Sequence, residues 1–256
     1  MNQPTEPGPA GEVHCSYENG VKILRLDHEA RLNALSSHML RSLAAEIKRT
    51  PIESGVRGIV VTGTGRAFSS GEDLRETRSF VDAHGMDALS ALFDDITEAV
   101  LTSTVPCVAA VNGMAIGGAA ELTLCFDRRV GSTDTSYRFP ESAMGFTISN
   151  ASSILLPRLV GAATALDIIL SGTTLDASTC QRIGLLDEVV EPDSLIKSCL
   201  AAIERWTPQG NTAHLHLPML RPDLPTVHSA FAREADAARQ AWTAGSMNAQ
   251  ISRFNS

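Results

Sequence analysis

The chain has 256 residues, 43% of them hydrophobic, a formal charge of −8 and a mean hydropathy near zero. That is enough apolar material for one large domain, or one domain with a smaller appendage. No run approaches eighteen consecutive apolar residues, so no membrane span is expected, and the acidic balance argues against general affinity for nucleic acid.

The opening stretch "MNQPTEPGPAG" is polar and rich in Pro and Gly, without a charged-then-apolar signal pattern; residues 1–11 read as a disordered tail on a cytoplasmic protein. "VHCSYENGVKILRL" is two alternating apolar runs joined by Asn19-Gly20, a hairpin signal. "SSHMLRSLAAEIKR" puts Met39, Leu40, Leu43, Ala44 and Ile47 on one helical face, with Ser36 or Ser37 as cap. "RGIVVTG" is a short buried strand, and "MDALSALFDDITEAV" is helical through Met86, Leu89, Leu92, Phe93, Ile96 and Val100. "VPCVAAV" is a strand that leads through "VNGMAIGGAAEL" into a helix, and "RRVGSTDTSYRF" gives two short strands. Helices follow over about 150–160 and over "AATALDIILSG", then a helical turn "DASTCQRIG" closed by Gly184 and a strand "LLDEVV". "DSLIKSCLAAIERW" and "TVHSAFAREADAARQAWTA" are amphipathic helices, and the Pro-rich piece between them, 207–225, is expected to be irregular. Strands alternating with helices predict an α/β core over 12–192, and the last helices a C-terminal helical region over 193–256. No internal repeat is evident. The five cysteines (Cys15, Cys107, Cys125, Cys180, Cys199) lack CxxC spacing and read as buried free thiols.

Most motifs for chemistry are missing. Gly63-x-Gly65 follows a strand, but the third glycine of a dinucleotide loop would fall at Phe68 and no helix opens there. There is no phosphate loop and no G-x-S-x-G elbow, and His214 and His216 sit in a Pro-rich stretch with no metal-ligand pattern around them. Two turns of similar build remain. In "AFSSGEDL" a strand ends and Ser69, Ser70 and Gly71 precede Glu72; in "AIGGAAEL" a strand ends and Gly117-Gly118 open a helix. Each can expose one backbone N–H, and a helix N-terminus favours negative charge. Brought together, the pair would form an oxyanion hole.

The segments "RLNALS" (31–36), "AFSSGEDL" (67–74), "PCVAAVNGMAIGGAAEL" (106–122), "RFPESAMG" (138–145) and "SGTTLDASTCQRIGLLDEVV" (171–190), in that order and spacing, resemble the crotonase superfamily of enoyl-CoA hydratases and isomerases. The resemblance implies a spiral of ββα units with a C-terminal helical region, assembled as a trimer or hexamer, acting on an acyl-CoA thioester with no separate cofactor or metal. It assigns the backbone N–H groups of Glu72 and Gly118 to the thioester carbonyl, with Ser70, Gly71, Asp73, Leu74, Gly117 and Gly145 as substrate-binding positions. Glu121 and Glu141 stand where hydratases of the family carry their two glutamates, Glu121 to activate water and Glu141 to protonate C2. An isomerase would use Glu141 alone, and a thioester-binding subunit neither. The chain departs from the family in "GFTISNASS", where Ile148 replaces a proline and Ala151-Ser152 replace two glycines. That change puts polar side chains of Ser149, Asn150 and Ser152 at the acyl pocket. The phosphates of CoA require cations, for which Arg25, Arg31, Arg66, Arg75 and Arg78 are candidates.

Overall fold

The structure, a computed structural model, describes residues 11–50 and 55–245. Residues 1–10 of the expected tail and 246–256 of the C-terminal region lie outside them. Strands β1 (Glu12–Glu18) and β2 (Val21–Asp27) form the expected hairpin. Asn19 and Gly20 are both left-handed, the backbone that a two-residue turn between right-twisted strands requires. Helix α1 (Ser37–Lys48) is capped by Ser36, whose side chain accepts from the Met39 N–H, and buries the five predicted apolar residues. Then come β3 (Gly58–Gly63), β4 (Ala67–Ser69), α2 (Leu74–His84) and α3 (Met86–Thr102). They are followed by β5 (Cys107–Val111), β6 (Met114–Ile116) and α4 (Gly118–Leu122), and by β7 (Arg128–Ser132), β8 (Ser136–Arg138) and α5 (Glu141–Met144). Three times, then, a longer buried strand, a three-residue strand and a helix recur, a structural repeat that the sequence does not announce.

The repeat builds two sheets. First strands enter a six-stranded sheet in the order β1-β2-β3-β5-β7 and then β10 (Glu188–Val190), parallel apart from the β1–β2 hairpin, and second strands a four-stranded sheet in the order β4-β6-β8 and then β9 (Leu175–Asp176). Alternation along the first strands divides the core. Ile59, Val61, Cys107 and Ala109 face α1 and α3, while Val60, Val108 and Ala110 face Leu195, Cys199 and Ile203 of α9 (Leu195–Trp206). Helices α6 (Ser152–Val160) and α7 (Ala162–Ser171), strand β9 (Leu175–Asp176), helix α8 (Ala177–Arg182) and strand β10 (Glu188–Val190) complete the core before α9. No helix among the described residues is long and apolar enough to cross a membrane.

Two expectations are corrected and one helix is added. Residues 207–225 contain a helix, α10 (Ala213–Leu220), before α11 (Leu224–Thr243). Pro218 lies inside α10 and costs it one ladder bond, but Arg221 anchors the segment. Its guanidinium donates to Asp127 and to the carbonyls of Leu101, Ser103 and Val105. Helix α2, capped by Asp73, was not anticipated. Cys15 is exposed, because β1 is an edge strand with little packed against it; the other four thiols are buried, and all five are free.

Candidate active site

The two turns singled out in the sequence meet. After β4, Leu35 bridges Glu72 in parallel register: its N–H donates to the Gly71 carbonyl at 2.8 Å and its carbonyl accepts from the Asp73 N–H at 3.1 Å. A parallel bridge uses the neighbours of the bridged residue, so the N–H of Glu72 itself faces away from Leu35. Gly71 has φ +93°, and a Cβ there would lie 2.6 Å from the Ile116 carbonyl oxygen and 3.8 Å from the Gly118 nitrogen. Bare backbone at Gly71 is therefore what lets the first turn close on the second. Gly118 is the first residue of α4, so its N–H has no partner within the helix, and a Cβ there would stand 2.9 Å from the Phe93 ring.

Glu121, one turn into α4, does not cap its helix; its side chain crosses to the 149–150 segment. Its Oε2 accepts from the Ser149 N–H at 3.0 Å, the Ser149 hydroxyl at 2.5 Å and the Asn150 amide at 3.1 Å. Its Oε1 is buried with no hydrogen-bond partner, as is Oε2 of Glu141, the first residue of α5. Burial drives both carboxyls upward, Glu141 to about 7 and Glu121 well above the usual carboxylate range. The charge of Glu141 raises Glu121 further, and the Ser149 bonds oppose both effects.

Both glutamates line one cavity with Ser70, Gly71, Glu72, Leu74, Gly117 and Gly118. The cavity, of about 120 Å³, is otherwise walled largely by apolar residues: Leu89 and Phe93 of α3, Met144, Phe146, Ile148, and Phe231 of α11. Burial lifts the side chain of Glu72 to about 7 against the pull of a hydrogen bond from the Thr77 hydroxyl. A groove shares Ser70, Glu72 and Met144 with the cavity and opens from it past Arg31, Arg66, Arg75 and Arg138. Two expected positions fall elsewhere. Asp73 sits in this groove, capping α2 and paired with Arg31 at 2.9 Å, and Gly145 ends α5 in a left-handed conformation. Arg25 instead donates to the Gly63 carbonyl, and Arg78 pairs with Asp82. The exposed His214 and His216 lie on α10, and among the described residues no group of three or more His, Cys, Asp or Glu is placed to hold a metal.

Sequence reasoning passed over Arg138 and two acids of the cavity wall, Asp94 on α3 and Glu234 on α11. The signal was present for Glu234. It falls on the buried stripe Val227, Ala230, Glu234 and Ala238, where a charge is out of place. Both its oxygens are occupied, by the N–H groups of Ala151 and Ser153, each at 2.8 Å.

A two-sheet spiral whose two glycine turns meet beside buried acids is a crotonase-type fold. The chain belongs to the enoyl-CoA hydratase/isomerase family, whose description matches residues 16–240. It is 35% identical over 187 residues to a protein of Rhizobium meliloti (strain 1021) named a probable enoyl-CoA hydratase, a match covering 72% of this chain and 71% of that one. Among solved structures, an enoyl-CoA hydratase/isomerase from Pseudoalteromonas atlantica T6c superposes with a TM-score of 0.82 at 27% identity, over 95% of this chain and 96% of the other. A monofunctional enoyl CoA isomerase from M. smegmatis gives 0.68 at 28% identity, over 87% and 97% of the two chains.

Proposed function

We propose that the protein adds water across the 2,3 double bond of a 2-enoyl-CoA thioester. The observation that carries this is the pair of buried, unpartnered carboxyl oxygens, Glu121 Oε1 and Glu141 Oε2, on one cavity with the N–H groups of Glu72 and Gly118. Two carboxyls raised together give up their protons in separate steps, so the pair holds one proton across a window around neutral pH. Burial and the charge of Glu141 push Glu121 up, but three donors on one oxygen, the Ser149 N–H and hydroxyl and the Asn150 amide, hold its charged form, and the reactive state is assigned the charge at Glu121 and the proton at Glu141. Glu121 then takes a proton from water as its oxygen bonds to C3. The π electrons move onto the thioester oxygen, where the N–H groups of Glu72 and Gly118 hold the enolate. Collapse of the enolate takes the proton of Glu141 at C2. Transfer of a proton from Glu121 to Glu141, through the next water, restores the pair. The steps are acid–base chemistry and call on no cofactor beyond the CoA carried by the substrate.

Arg66 and Arg75, which have no carboxylate partner among the described residues, suit the groove to the phosphates of CoA. A homotrimer or hexamer is part of the proposal, supported by the exposed Leu166 and Leu170 on α7 and Leu215, Met219 and Leu220 on α10. So is a cytoplasmic location, which suits five free thiols. A second reading, isomerisation by Glu141 alone, is favoured by the likeness to the M. smegmatis isomerase.

Glu121→Gln and Glu141→Gln, assayed on a 2-enoyl-CoA and its 3-enoyl isomer, separate the two. Water addition needs a base and an acid, each worth roughly 10²–10⁴-fold, so either substitution should nearly abolish hydration. Hydration by Glu121→Gln at the parental rate would sink the two-glutamate mechanism. If that variant also isomerised normally while Glu141→Gln did not, the isomerase reading would replace it. A parent inert on both thioesters would leave a thioester-binding subunit.

A further inference from the structure

Water addition uses two acids, yet the cavity wall carries five: Glu72, Asp94, Glu121, Glu141 and Glu234. No Lys, Arg or His among the described residues lines it. The face that α3 turns to the cavity is Met86, Leu89, Ser90, Phe93 and Asp94, so the stripe that should be apolar throughout is broken by a hydroxyl and a carboxyl. Across from it α11 contributes Phe231, Glu234, Ala235 and Ala238. Among the described residues nothing donates a hydrogen bond to Asp94, and burial together with the negative charges of Glu234, Asp95 and Glu98 raises it to about 7. The buried, unpartnered Glu121 Oε1 and Glu141 Oε2 mark the same cavity as the place where a ligand sits.

We infer that the acyl group taken by this cavity carries a hydrogen-bond donor, a hydroxyl or an amine, on its carbons beyond C3, and that Asp94 with Glu234 selects it. This rests on the thioester reading of the site. An alkyl chain would strip water from Asp94 and return no donor, and an anionic chain would add one more carboxylate to acids that already raise one another. A donor-bearing chain satisfies Asp94, and a lone pair of Glu234 remains free beside the two N–H groups it already accepts. A pocket built to hydrogen-bond a substrate discriminates far more sharply than one that only measures a methylene, where about 10–200-fold is usual.

The test is calorimetric binding of saturated thioesters, which needs no turnover. Hexanoyl-CoA, 6-hydroxyhexanoyl-CoA, 6-aminohexanoyl-CoA and adipoyl-CoA would be compared, with their four- and eight-carbon counterparts, on the parent, Asp94→Leu and Asp94→Asn. The parent should bind a donor-bearing thioester at least ~10-fold more tightly than the alkyl one of equal length, and the adipoyl thioester least well. The order of hydroxyl and amine identifies the donor. Asp94→Leu should close the gap by improving the alkyl thioester, and Asp94→Asn should keep preference for the hydroxyl but not the amine. Alkyl thioesters bound as tightly at every length, or a gap unchanged in both variants, would overturn the inference. A parent that prefers donor-bearing thioesters but hydrates no 2-enoyl-CoA defeats water addition alone; one that hydrates alkyl 2-enoyl-CoA without any preference defeats this inference alone.

Discussion

Glu121 and Glu234 stand on different helices and share one five-residue segment. Glu121 takes the donors of Ser149 and Asn150, and Glu234 takes those of Ala151 and Ser153. Between them Asn150 and Ala151 hold left-handed backbone, at φ +60° and +58°. That conformation costs a non-glycine residue roughly 1–2 kcal/mol, and two carboxylates at its flanks offset the cost.

Glu234→Ala leaves two N–H groups at the start of α6 without their acceptor, each worth ~1–3 kcal/mol. The expected outcome is destabilisation by ~2–6 kcal/mol in denaturant unfolding, together with reduced turnover as the segment that holds Glu121 loosens. Glu234→Gln retains one acceptor oxygen and should lose less of both. Normal stability in the alanine variant would refute the link.

Ser149→Ala removes a hydroxyl donor from Glu121. Donors to the charged form lower a carboxyl's proton affinity, so its loss should raise Glu121 further and move the acid limb of the kcat/KM profile to higher pH. Ser149→Thr should restore the parental profile. An unmoved acid limb in the alanine variant would separate Ser149 from the function of Glu121.

Gly118→Pro deletes one backbone donor at the first position of a helix, where proline is otherwise well accommodated. Turnover should drop by ~10²–10³, typical of one lost oxyanion donor. The Phe93 ring must give way to the new carbons, so circular dichroism should accompany the rates. A folded variant with parental turnover on every accepted thioester would falsify the assignment.

Glu141 binds its proton to about 7 in the folded chain against an ordinary value of 4.5. Between those values the unfolded chain holds fewer protons, so this group makes stability fall as pH rises. Glu141→Gln should therefore gain on the parent by up to ~3 kcal/mol at pH 8 relative to pH 4. Denaturant midpoints at the two pH values check the sign; an equal difference at both would contradict it.

Leu166 and Leu170 stand one turn apart on the exposed side of α7. Light scattering should give a trimer or hexamer at micromolar concentration, and Leu166→Glu with Leu170→Glu should lower the mass. A parental monomer would remove assembly from the proposal.

Local signals made much of this legible in the sequence. The Asn19-Gly20 turn, the Ser36 cap and the apolar stripes of α1, α3 and α9 each lie within one window of chain. Helix α2 escaped because only Thr77, Phe80 and Val81 are buried on it, too narrow a stripe to reveal a period. Strands β4, β6 and β8 are three residues each, too short for alternation to register, and they pair across long separations. The glycine turns were visible in the residues themselves, and both glutamates through the family resemblance. Asp94 gave no such sign and Glu234 only that of a charge on a buried stripe, because it is the packing of α11 against α3 that brings them to one wall.

The three groups assigned to catalysis other than Glu121 follow β4, β6 and β8, neighbours in the small sheet. Glu72 lies just beyond the first, Gly118 just beyond the second and Glu141 just beyond the third. Their separation is thus quantised by the interstrand step of about 4.8 Å, which loops and surface helices cannot stretch. A lineage can therefore swap the acid on the third coil, or the acids on α3 and α11, without shifting the two donors on the first and second. Under the proposed assignment the carbonyl grip is the inherited constant, and the chemistry performed on the gripped thioester is free to drift.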